Sequence, residues 1–534
     1  FFKQKTAYEI YQCDWSSDVC SSDLTRPDVA VDDPQRGDRE ERQGAAGVLR
    51  VVGVGVGAGH LRAAAYDRRR LECTAPTTQA LRYSPQSAKG PAPVFVNRTP
   101  RFEPLSEDAL DTIDRGWRRL VSEIGIRFVH EPSLDLFRRE GQRVEDEVVF
   151  LDPDWLLERI RTTPTEFTLL ARNPDKHVRF GPDNMVFCTG QSMPFSDDGV
   201  TGRRDGTLAD AVKLLRAAQV TPEIDTPGYP IIEVNDRPID SRHLDLQLAM
   251  YENTDLAVGA AQIHLNGVID SIAMAEMALG GPDALEANPG VFGTINANSP
   301  LMFDTRMLES LWLLAERNQI VNVTPFIMMG AMGPVSVPAA LAQQTAEALA
   351  GIALVQAIRP GCPAIMGSFV SNTDMKSGSP GFGGPEAAMG ILATGQIARR
   401  HGVLWRSGGG GLNASPAVDA QASWESLNTM LPAFLAGANL QLHTTGWLEG
   451  GLVHSFAKVA MDTEMLRNMI EQFTPIEFSD DTLAFGAHEE VGHAGHFFGA
   501  AHTLEHFRDC FYRPTVWTTD NQSAWQKKGA KDAT

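Results

Sequence analysis

Cysteine is scarce in this chain of 534 residues, and its six positions are scattered. They are Cys13, Cys20, Cys73, Cys188, Cys362 and Cys510. No two of them form a CxxC pair, so neither a disulfide framework nor a zinc knuckle is indicated. We therefore predict that all six are free thiols.

Basic residues and long apolar runs are also in short supply. Lys and Arg number 47 against 67 Asp and Glu, giving a net charge of −20, which argues against nucleic acid as a partner. The apolar stretch ALAGIALVQAI at 348–358 is shorter than the about 20 residues of a membrane-spanning helix. Since no basic-then-apolar signal segment opens the chain, we expect no membrane partner and a cytoplasmic location.

The first 95 residues lack the periodicity of a folded domain. Residues 1–24, FFKQKTAYEIYQCDWSSDVCSSDL, resemble the translation of a sequencing-library adapter, and we expect an artefact there. Residues 25–95 are rich in Arg, Asp, Gly and Ala, which is typical of a disordered or spurious leader. The run VVGVGVGAGH at 51–60 lacks GxGxxG spacing, so we assign no dinucleotide site to it.

Helical periodicity begins near residue 96. The stretch LSEDALDTIDRGWRRLVSEIGIRF places apolar residues at helical spacing behind Ser106, a residue type that caps helices. The later stretch PDWLLERIRTTP repeats this pattern. We predict a helical N-terminal cap over 96–180.

From residue 181 to residue 475, short apolar runs alternate with helical patterns. Eight strand candidates lie at 185–190, 221–227, 256–263, 290–297, 320–327, 363–370, 403–408 and 439–446. Eight strands, each followed by a helix, predict an α/β fold of the (β/α)8 TIM-barrel type. An open, doubly wound sheet is the alternative, because strand closure is not visible in a sequence.

The loops after the last three predicted strands point to a site. They read SNTDMKSGSPGFGGPE, RSGGGGLNASPAVDAQ and HTTGWLEGG, and they combine glycine with isolated polar and aromatic residues. Taken singly, each could be a compliant turn. Since barrel enzymes carry their chemistry at the carboxyl ends of the strands, three such loops in succession favour a binding site at the barrel mouth.

Five motifs occur in order between about residue 96 and residue 534: SNTDMKSGSPGFGGPE, ARRHGVLWRSGG, DAQASWES, LAGANLQLHTTGWLEGGL and HTLEHFR. Together they resemble the trimethylamine–corrinoid protein methyltransferase family, in its glycine betaine-like branch without pyrrolysine. The resemblance implies a barrel enzyme that moves a methyl group from an amine to cobalamin, the corrinoid of a small partner protein. It implies no cofactor bound tightly to this chain. The barrel reads through in standard residues, which favours a quaternary amine over trimethylamine as substrate.

When a quaternary amine loses a methyl group, the leaving group is a neutral tertiary amine. The enzyme therefore needs to position the substrate and stabilise its charge, and it needs no acid to protonate the leaving group. Aromatic faces and carboxylates suit a permanent cation. The aromatic candidates are Phe382, Trp405 and Trp447, for which core packing is the alternative. The acidic candidates, placed in the catalytic set, are Asp374, Glu386 and Glu449, for which a helix-start or solvated charge is the alternative.

Two further candidates would bind a substrate carboxylate. Arg406 could pair with it bidentately, and His443 could donate a hydrogen bond to the same group. A barrel-end salt bridge and a satisfied core histidine are the respective alternatives.

The C-terminal stretch HEEVGHAGHFFGAAHTLEHF contains five histidines but no HExxH motif. We expect residues 476–534 to form a lid or extension that continues past the end of this sequence, and we expect no metal. A metal-dependent barrel hydrolase using this stretch is the rival function, and a noncatalytic betaine-binding relative is a third. We also expect a homo-oligomer.

Overall fold

The computed structural model describes residues 94–530. The predictions of an adapter at 1–24 and of a leader up to residue 93 lie outside the described residues, as do Cys13, Cys20 and Cys73. Within the described part, Cys188, Cys362 and Cys510 are free thiols.

Seven parallel strands form the central sheet. In spatial order they are β10 (Val258–Gly259), β11 (Val291–Ala297), β13 (Ile320–Met329), β14 (Ala364–Gly367), β16 (Trp405–Ser407), β17 (Leu440–Gln441) and β7 (Asn184–Phe187). Each coincides with a strand that the sequence predicts. Strand β1 (Phe95–Val96) adds an antiparallel pair to β7.

The predicted strand at 221–227 closes the sheet into a ring. It is reduced to a single parallel bridge between Cys188 and Thr226, and on its other side the Gly259 amide donates to the Gly228 carbonyl over 3.3 Å. Pro227 cannot donate a ladder hydrogen bond, which explains why the pairing is so short. The ring of eight segments confirms the TIM barrel and excludes an open doubly wound sheet, which would keep two free edges.

Helices cover the outside of the barrel. They are α4 (Leu208–Gln219), α5 (Arg242–Asn253), α6 (Leu265–Leu279), α7 (Pro282–Ala287), α8 (Thr305–Glu316), α9 (Val337–Ile358), α10 (Pro385–Arg400), α11 (Ala420–Ala436) and α12 (Phe456–Phe473). Helix α9 is buried along nearly its whole length because it lies between strand β13 and the N-terminal helices. Its small residues permit this: a Cβ on Gly351 would come within 2.5 Å of the Val323 side chain.

The segment before the barrel is mixed rather than purely helical. Helices α1 (Glu107–Arg119), α2 (Glu131–Arg139) and α3 (Pro153–Ile160) alternate with strands β2 (Ile126–Phe128), β3 (Arg143–Glu145), β4 (Val148–Phe150), β5 (Phe167–Leu169) and β6 (Val178–Phe180). Strand β12 (Met302–Phe303) pairs with β2 and ties this segment to the barrel. The three-residue strands are too short to show an alternating pattern in the sequence.

Additional strands lie over the carboxyl end of the barrel. Strand β15 (Phe369–Asn372) continues the pairing of β13, and β8 (Phe195–Asp197), β9 (Arg203–Asp205), β18 (Trp447–Leu448) and β19 (Val453–Ser455) form a separate sheet. The C-terminal segment contains α13 (Asp480–Leu483), α14 (Phe485–Val491), α15 (Ala501–His506) and α16 (Gln522–Lys527). Across residues 94–530, no helix combines the length and apolar character that a membrane crossing demands.

Candidate functional site

A cavity of about 260 Å3 lies at the carboxyl ends of the barrel strands. Its walls come from strands β11, β13, β15, β16 and β18 and from the loops that follow β7, β10, β13, β15, β17 and β18. This is the end at which barrel enzymes place their chemistry. The lining residues are Gln191, Ser192, Gln262, Thr294, Asn296, Ala297, Thr324, Phe326, Met332, Phe369, Phe382, Arg406, Leu442, His443, Trp447, Gly450, Gly451 and Leu452. No carboxylate is among these described residues.

Four aromatic rings form one wall of the cavity. Phe369 meets Phe382 edge to face with ring centroids 5.2 Å apart, and Phe382 meets Trp447 in the same way at 5.7 Å. The ring centroids of Phe326 and Phe369 are 4.8 Å apart, because β13 and β15 pair at these two residues. Aromatic faces carry partial negative charge, so this wall is suited to an organic cation.

Arg406 brings a positive charge to the cavity, which is suited to an anion. This side chain is 2% exposed and faces the cavity. Its Nη1 donates to the Ser368 carbonyl over 2.9 Å, and its Cζ lies 5.4 Å from the centre of the Phe369 ring. Its Nε is buried without a hydrogen-bond partner, and no described carboxylate lies within 4.0 Å of the guanidinium. Burial lowers the pKa of Arg406. The barrel-end salt bridge considered for this residue is thus not formed.

His443 lies beside this guanidinium. Its Nε2 is 3.4 Å from Arg406 Nη2, and its Nδ1 accepts from the Gln191 amide over 3.3 Å. Burial, together with the positive charge of Arg406, holds the pKa of His443 well below its ordinary value, so the ring is neutral. A neutral imidazole has one acceptor nitrogen, yet both neighbouring groups are donors. The histidine is therefore not a satisfied core residue.

Trp447 offers one more donor. Its indole Nε1 is buried and has no hydrogen-bond partner in the described part of the chain. The ring centroids of Trp447 and His443 are 4.4 Å apart. Donors of Arg406, His443 and Trp447 thus lie around one end of a cavity that also has a wall of aromatic rings.

Trp405, by contrast, does not reach the cavity. Neighbouring residues of a strand point to opposite sides, so with Arg406 facing inward Trp405 faces the surrounding helices. It is 1% exposed, its Nε1 donates to Ser368 Oγ over 3.0 Å, and a Cβ on Gly395 of helix α10 would lie 3.1 Å from its ring. Trp405 is thus packed in the core and is absent from the cavity lining.

The three acidic candidates also lie away from the cavity. Asp374 is exposed and caps its own turn, accepting from the Lys376 amide and the Ser377 hydroxyl, which lower its pKa. Glu386 stands in the first turn of α10. Glu449 pairs with Arg203 over 2.8 Å. The positions of all three agree with the alternative stated for them, a helix-start or solvated charge.

Several lining residues were not predicted from the sequence. Phe326 and Phe369 lie inside the apolar runs of two strands and read as core residues. Three polar lining residues lie at or just after the carboxyl ends of earlier strands: Gln191, Gln262 and Asn296. A polar side chain at that place in a barrel strand is the sequence signal that indicates a site residue.

A second cavity, of about 780 Å3, borders the first and shares Ser192, Gln262, Thr294, Asn296 and Ala297 with it. Its walls combine charged and polar side chains with apolar ones. They include Arg242, which pairs with Glu233 over 3.3 Å, and His243, whose Nε2 lies 2.8 Å from Asp270. Burial raises the pKa of Glu233 against the opposing effect of Arg242. The two cavities thus adjoin, and the larger one is called the vestibule below.

Comparisons with known proteins converge on one family. The family described as trimethylamine methyltransferase (MTTB) matches residues 74–534. Glycine betaine methyltransferase of Desulfitobacterium hafniense strain Y51 is 38% identical over 429 residues, which cover 80% of this chain and 89% of that protein. Proline betaine:corrinoid methyltransferase of Eubacterium limosum is 24% identical, with 80% and 88% covered.

Trimethylamine methyltransferase MttB of Desulfitobacterium hafniense strain DSM 10664 / DCB-2 is 27% identical, with 80% of this chain and 86% of that protein covered. Among solved structures, the monomethylamine methyltransferase MtmB of Methanosarcina barkeri is 10% identical with a TM-score of 0.48. The alignment covers 71% of this chain and 76% of that one.

Proposed function

Because the chain belongs to the trimethylamine methyltransferase family, we propose that it moves a methyl group from a quaternary amine of the glycine betaine type to a corrinoid carried by a separate small protein. The observation that carries the choice of substrate is Arg406, a buried guanidinium without a carboxylate partner, in the same cavity as four aromatic rings. A betaine bears an anion and a permanent cation on one small molecule, and the cavity offers complementary chemistry for both.

The carboxylate of the substrate binds at the donor end. Arg406 contributes the positive charge, and His443 donates from Nε2 while its Nδ1 keeps the hydrogen bond from the Gln191 amide. An anion here gives the histidine one donor and one acceptor contact, which the neutral ring can satisfy. Hydrogen bonds between charged groups inside a protein are among the stronger ones, so this end fixes the orientation of the substrate.

The trimethylammonium group lies against Phe326, Phe369, Phe382 and Trp447. Each cation–π contact contributes on the order of 0.5 to 2 kcal/mol. The positive charge on nitrogen diminishes as the methyl group leaves. A carboxylate at this end would therefore stabilise the bound substrate more than the transition state. An aromatic wall carries only partial negative charge, so the same penalty is smaller.

The reaction needs no protein nucleophile and no proton. The corrinoid supplies a reduced cobalt centre as the methyl acceptor. The bond between nitrogen and the methyl carbon breaks with its electron pair remaining on nitrogen, so the product leaves as a neutral tertiary amine. The chain's contribution is to orient the substrate and to keep one methyl group directed toward the vestibule.

The vestibule gives the partner protein access. It borders the smaller cavity along five shared residues, and its polar side chains suit the amide-bearing edge of a corrinoid. The proposal includes a cytoplasmic location and a homo-oligomer. Large exposed apolar side chains in the C-terminal segment, such as Phe478, Phe498 and Phe511, support self-association.

The experiment that tests the proposal is methyl transfer to free cob(I)alamin by the purified full chain, followed by absorbance. Glycine betaine should form methylcobalamin, and trimethylamine should not. Choline, which has the cation without the carboxylate, should react at least about tenfold more slowly because the donors of Arg406 and His443 stay unpaired.

Two results would redirect the assignment. Saturable binding of glycine betaine with no methyl transfer, to either cob(I)alamin or a corrinoid protein, would identify a noncatalytic betaine-binding relative. Equal rates with choline and glycine betaine would remove the assigned role of Arg406.

A further inference from the structure

The C-terminal segment, residues 476–530, is held by very few apolar contacts. Among the described residues of this segment, Ala487 and Ala500 alone are buried. Phe478 and Phe498 are more than four-fifths exposed. Segments too small to bury a core are commonly held together by a disulfide or a metal ion. Cys510 is free and exposed, so a disulfide within this segment is not formed.

Two histidines and one carboxylate meet at the point where the segment folds back on itself. His502 and His506 are four residues apart on α15, so they share a face, and their ring centroids are 4.5 Å apart. Asp481, on α13, lies opposite them: its Oδ2 is 3.5 Å from His506 Nε2. One ligand atom from each residue lies within 4.8 Å of those of the other two.

These separations are close to what a tetrahedral ion requires. Zinc bonds to nitrogen and oxygen of about 2.0 to 2.2 Å place neighbouring ligand atoms roughly 3.3 Å apart. The contact between Asp481 and His506 already has this length within a few tenths of an ångström. Small rotations of these side chains would bring the third ligand atom to the same distance.

The hydrogen bonding of His502 also matches a metal ligand. Its Nε2 lies 3.0 Å from the Asp481 main-chain carbonyl, which can only accept, so Nε2 carries the proton. In the neutral tautomer that makes this hydrogen bond, Nδ1 has a free lone pair. Histidine ligands of metals typically donate their other ring N–H to a carbonyl or carboxylate in this way.

We propose that Asp481, His502 and His506 form a binding site for a divalent transition-metal ion of the zinc type, which joins α13 to α15 and orders the C-terminal segment. Three protein ligands leave the fourth position for water. None of the three residues lines the barrel cavity or its vestibule. The site therefore lies apart from the proposed substrate cavity, and it does not depend on the proposed methyl transfer.

The test is a titration of the full chain, first stripped with a chelator, with Zn2+ by calorimetry and with Co2+ by its visible absorption. We expect one equivalent of tightly bound ion per chain and the intense absorption bands of tetrahedral Co2+. Hydrogen exchange of residues 480–506 should slow when zinc is added, since ion binding to a preformed ligand set stabilises the local fold.

The chain supplies a matched control. His493 and His496 lie in the same segment and are exposed, but they are outside the three-residue cluster. The double variant His502→Gln/His506→Gln should bind zinc at least about tenfold more weakly, and His493→Gln/His496→Gln should bind like the parent chain.

Absence of stoichiometric binding by the parent chain, or equal losses in both double variants, would overturn the proposal. Both readouts are measured without substrate or corrinoid, so a failure of the methyl-transfer assay leaves their meaning unchanged. Circular dichroism of both variants confirms that a loss of binding is not a loss of folding.

Discussion

The Nε2 atom of His443 lies 3.4 Å from Nη2 of Arg406, and the second nitrogen of the same ring accepts from the Gln191 amide. Two donors thus face a neutral ring that can accept from one of them. The buried guanidinium has no carboxylate within 4.0 Å among the described residues. In the proposed function, the carboxylate of the substrate completes the hydrogen bonding of these two residues.

Arg406→Met should therefore impair binding of glycine betaine far more than it impairs the chemical step. Loss of one partner in a buried charged contact costs on the order of 2 to 5 kcal/mol, so KM should rise at least about 30-fold. The matched control is Trp405→Phe, the next residue on the same strand, which faces the helices and should leave KM unchanged. Steady-state kinetics with cob(I)alamin measure both, and a large effect on kcat with an unchanged KM would contradict the assignment.

The same substitution should stabilise the substrate-free protein. A charge that is buried without a counter-ion costs free energy, and methionine fills similar space without that cost. We expect a higher melting temperature for Arg406→Met than for the parent chain. Glycine betaine should raise the melting temperature of the parent alone, because a ligand stabilises only the protein that binds it. A lower melting temperature of the variant would show that the guanidinium is already compensated within the fold.

Phe382→Leu should weaken binding through the loss of one aromatic face. Leucine preserves apolar contact, so the expected effect on KM is the worth of a cation–π contact, about 0.5 to 2 kcal/mol or roughly 2- to 30-fold. The control ligand is 3,3-dimethylbutanoate, which has the shape and carboxylate of glycine betaine without its positive charge. Its inhibition constant should hardly change. Equal losses for both ligands would assign Phe382 to shape rather than to charge recognition.

Acid should destabilise the protein through a buried histidine near the barrel mouth. The Nδ1 of His454 lies 2.8 Å from the Ile231 carbonyl, and burial lowers the pKa of this ring to about 4. The unfolded chain has the ordinary value of about 6.5 and so binds a proton first. Stability is therefore complete above about pH 6.5 and falls as the pH approaches 4.

Urea unfolding at pH 7 and pH 4.5 tests this expectation. The loss of unfolding free energy on acidification should be about 2 kcal/mol smaller in His454→Gln than in the parent chain, if other groups behave alike. An unchanged pH dependence in the variant would show that this ring does not titrate with a lowered pKa.

The sequence predicted the barrel well because its strands are apolar runs at regular intervals. It located the candidate site less completely. Alternation along a strand already implies that Trp405 and Arg406 point to opposite sides, and that rule would have separated them. Glu449 could not be judged in this way, since its partner Arg203 lies 246 residues earlier in the chain. Pairings of that range depend on the closed fold and leave no local pattern.

A buried ion pair behind the cavity accounts for how Trp447 is held. Lys458 and Asp462 of helix α12 are fully buried and bonded to each other. Asp462 Oδ2 accepts from the Gly446 amide over 2.9 Å, directly before Trp447. Lys458 Nζ donates to Ser426 Oγ over 2.7 Å, and Ser426 in turn holds the Gly411 carbonyl at 2.9 Å. The pair thus fastens two of the three glycine-rich loops, those after β16 and β17.

Removal of one partner and removal of both should have different consequences. Asp462→Leu alone leaves a buried ammonium and should cost about 3 to 5 kcal/mol of stability. Replacement of both, as Lys458→Met/Asp462→Leu, removes both charges and should recover most of that loss. The Gly446 amide would still lack its acceptor, so KM for glycine betaine should remain raised in the double variant while its melting temperature approaches that of the parent. If both the melting temperature and KM return to the parent values, the ion pair stabilises the fold without positioning Trp447. If only the melting temperature recovers, the ion pair also positions Trp447 in the binding site.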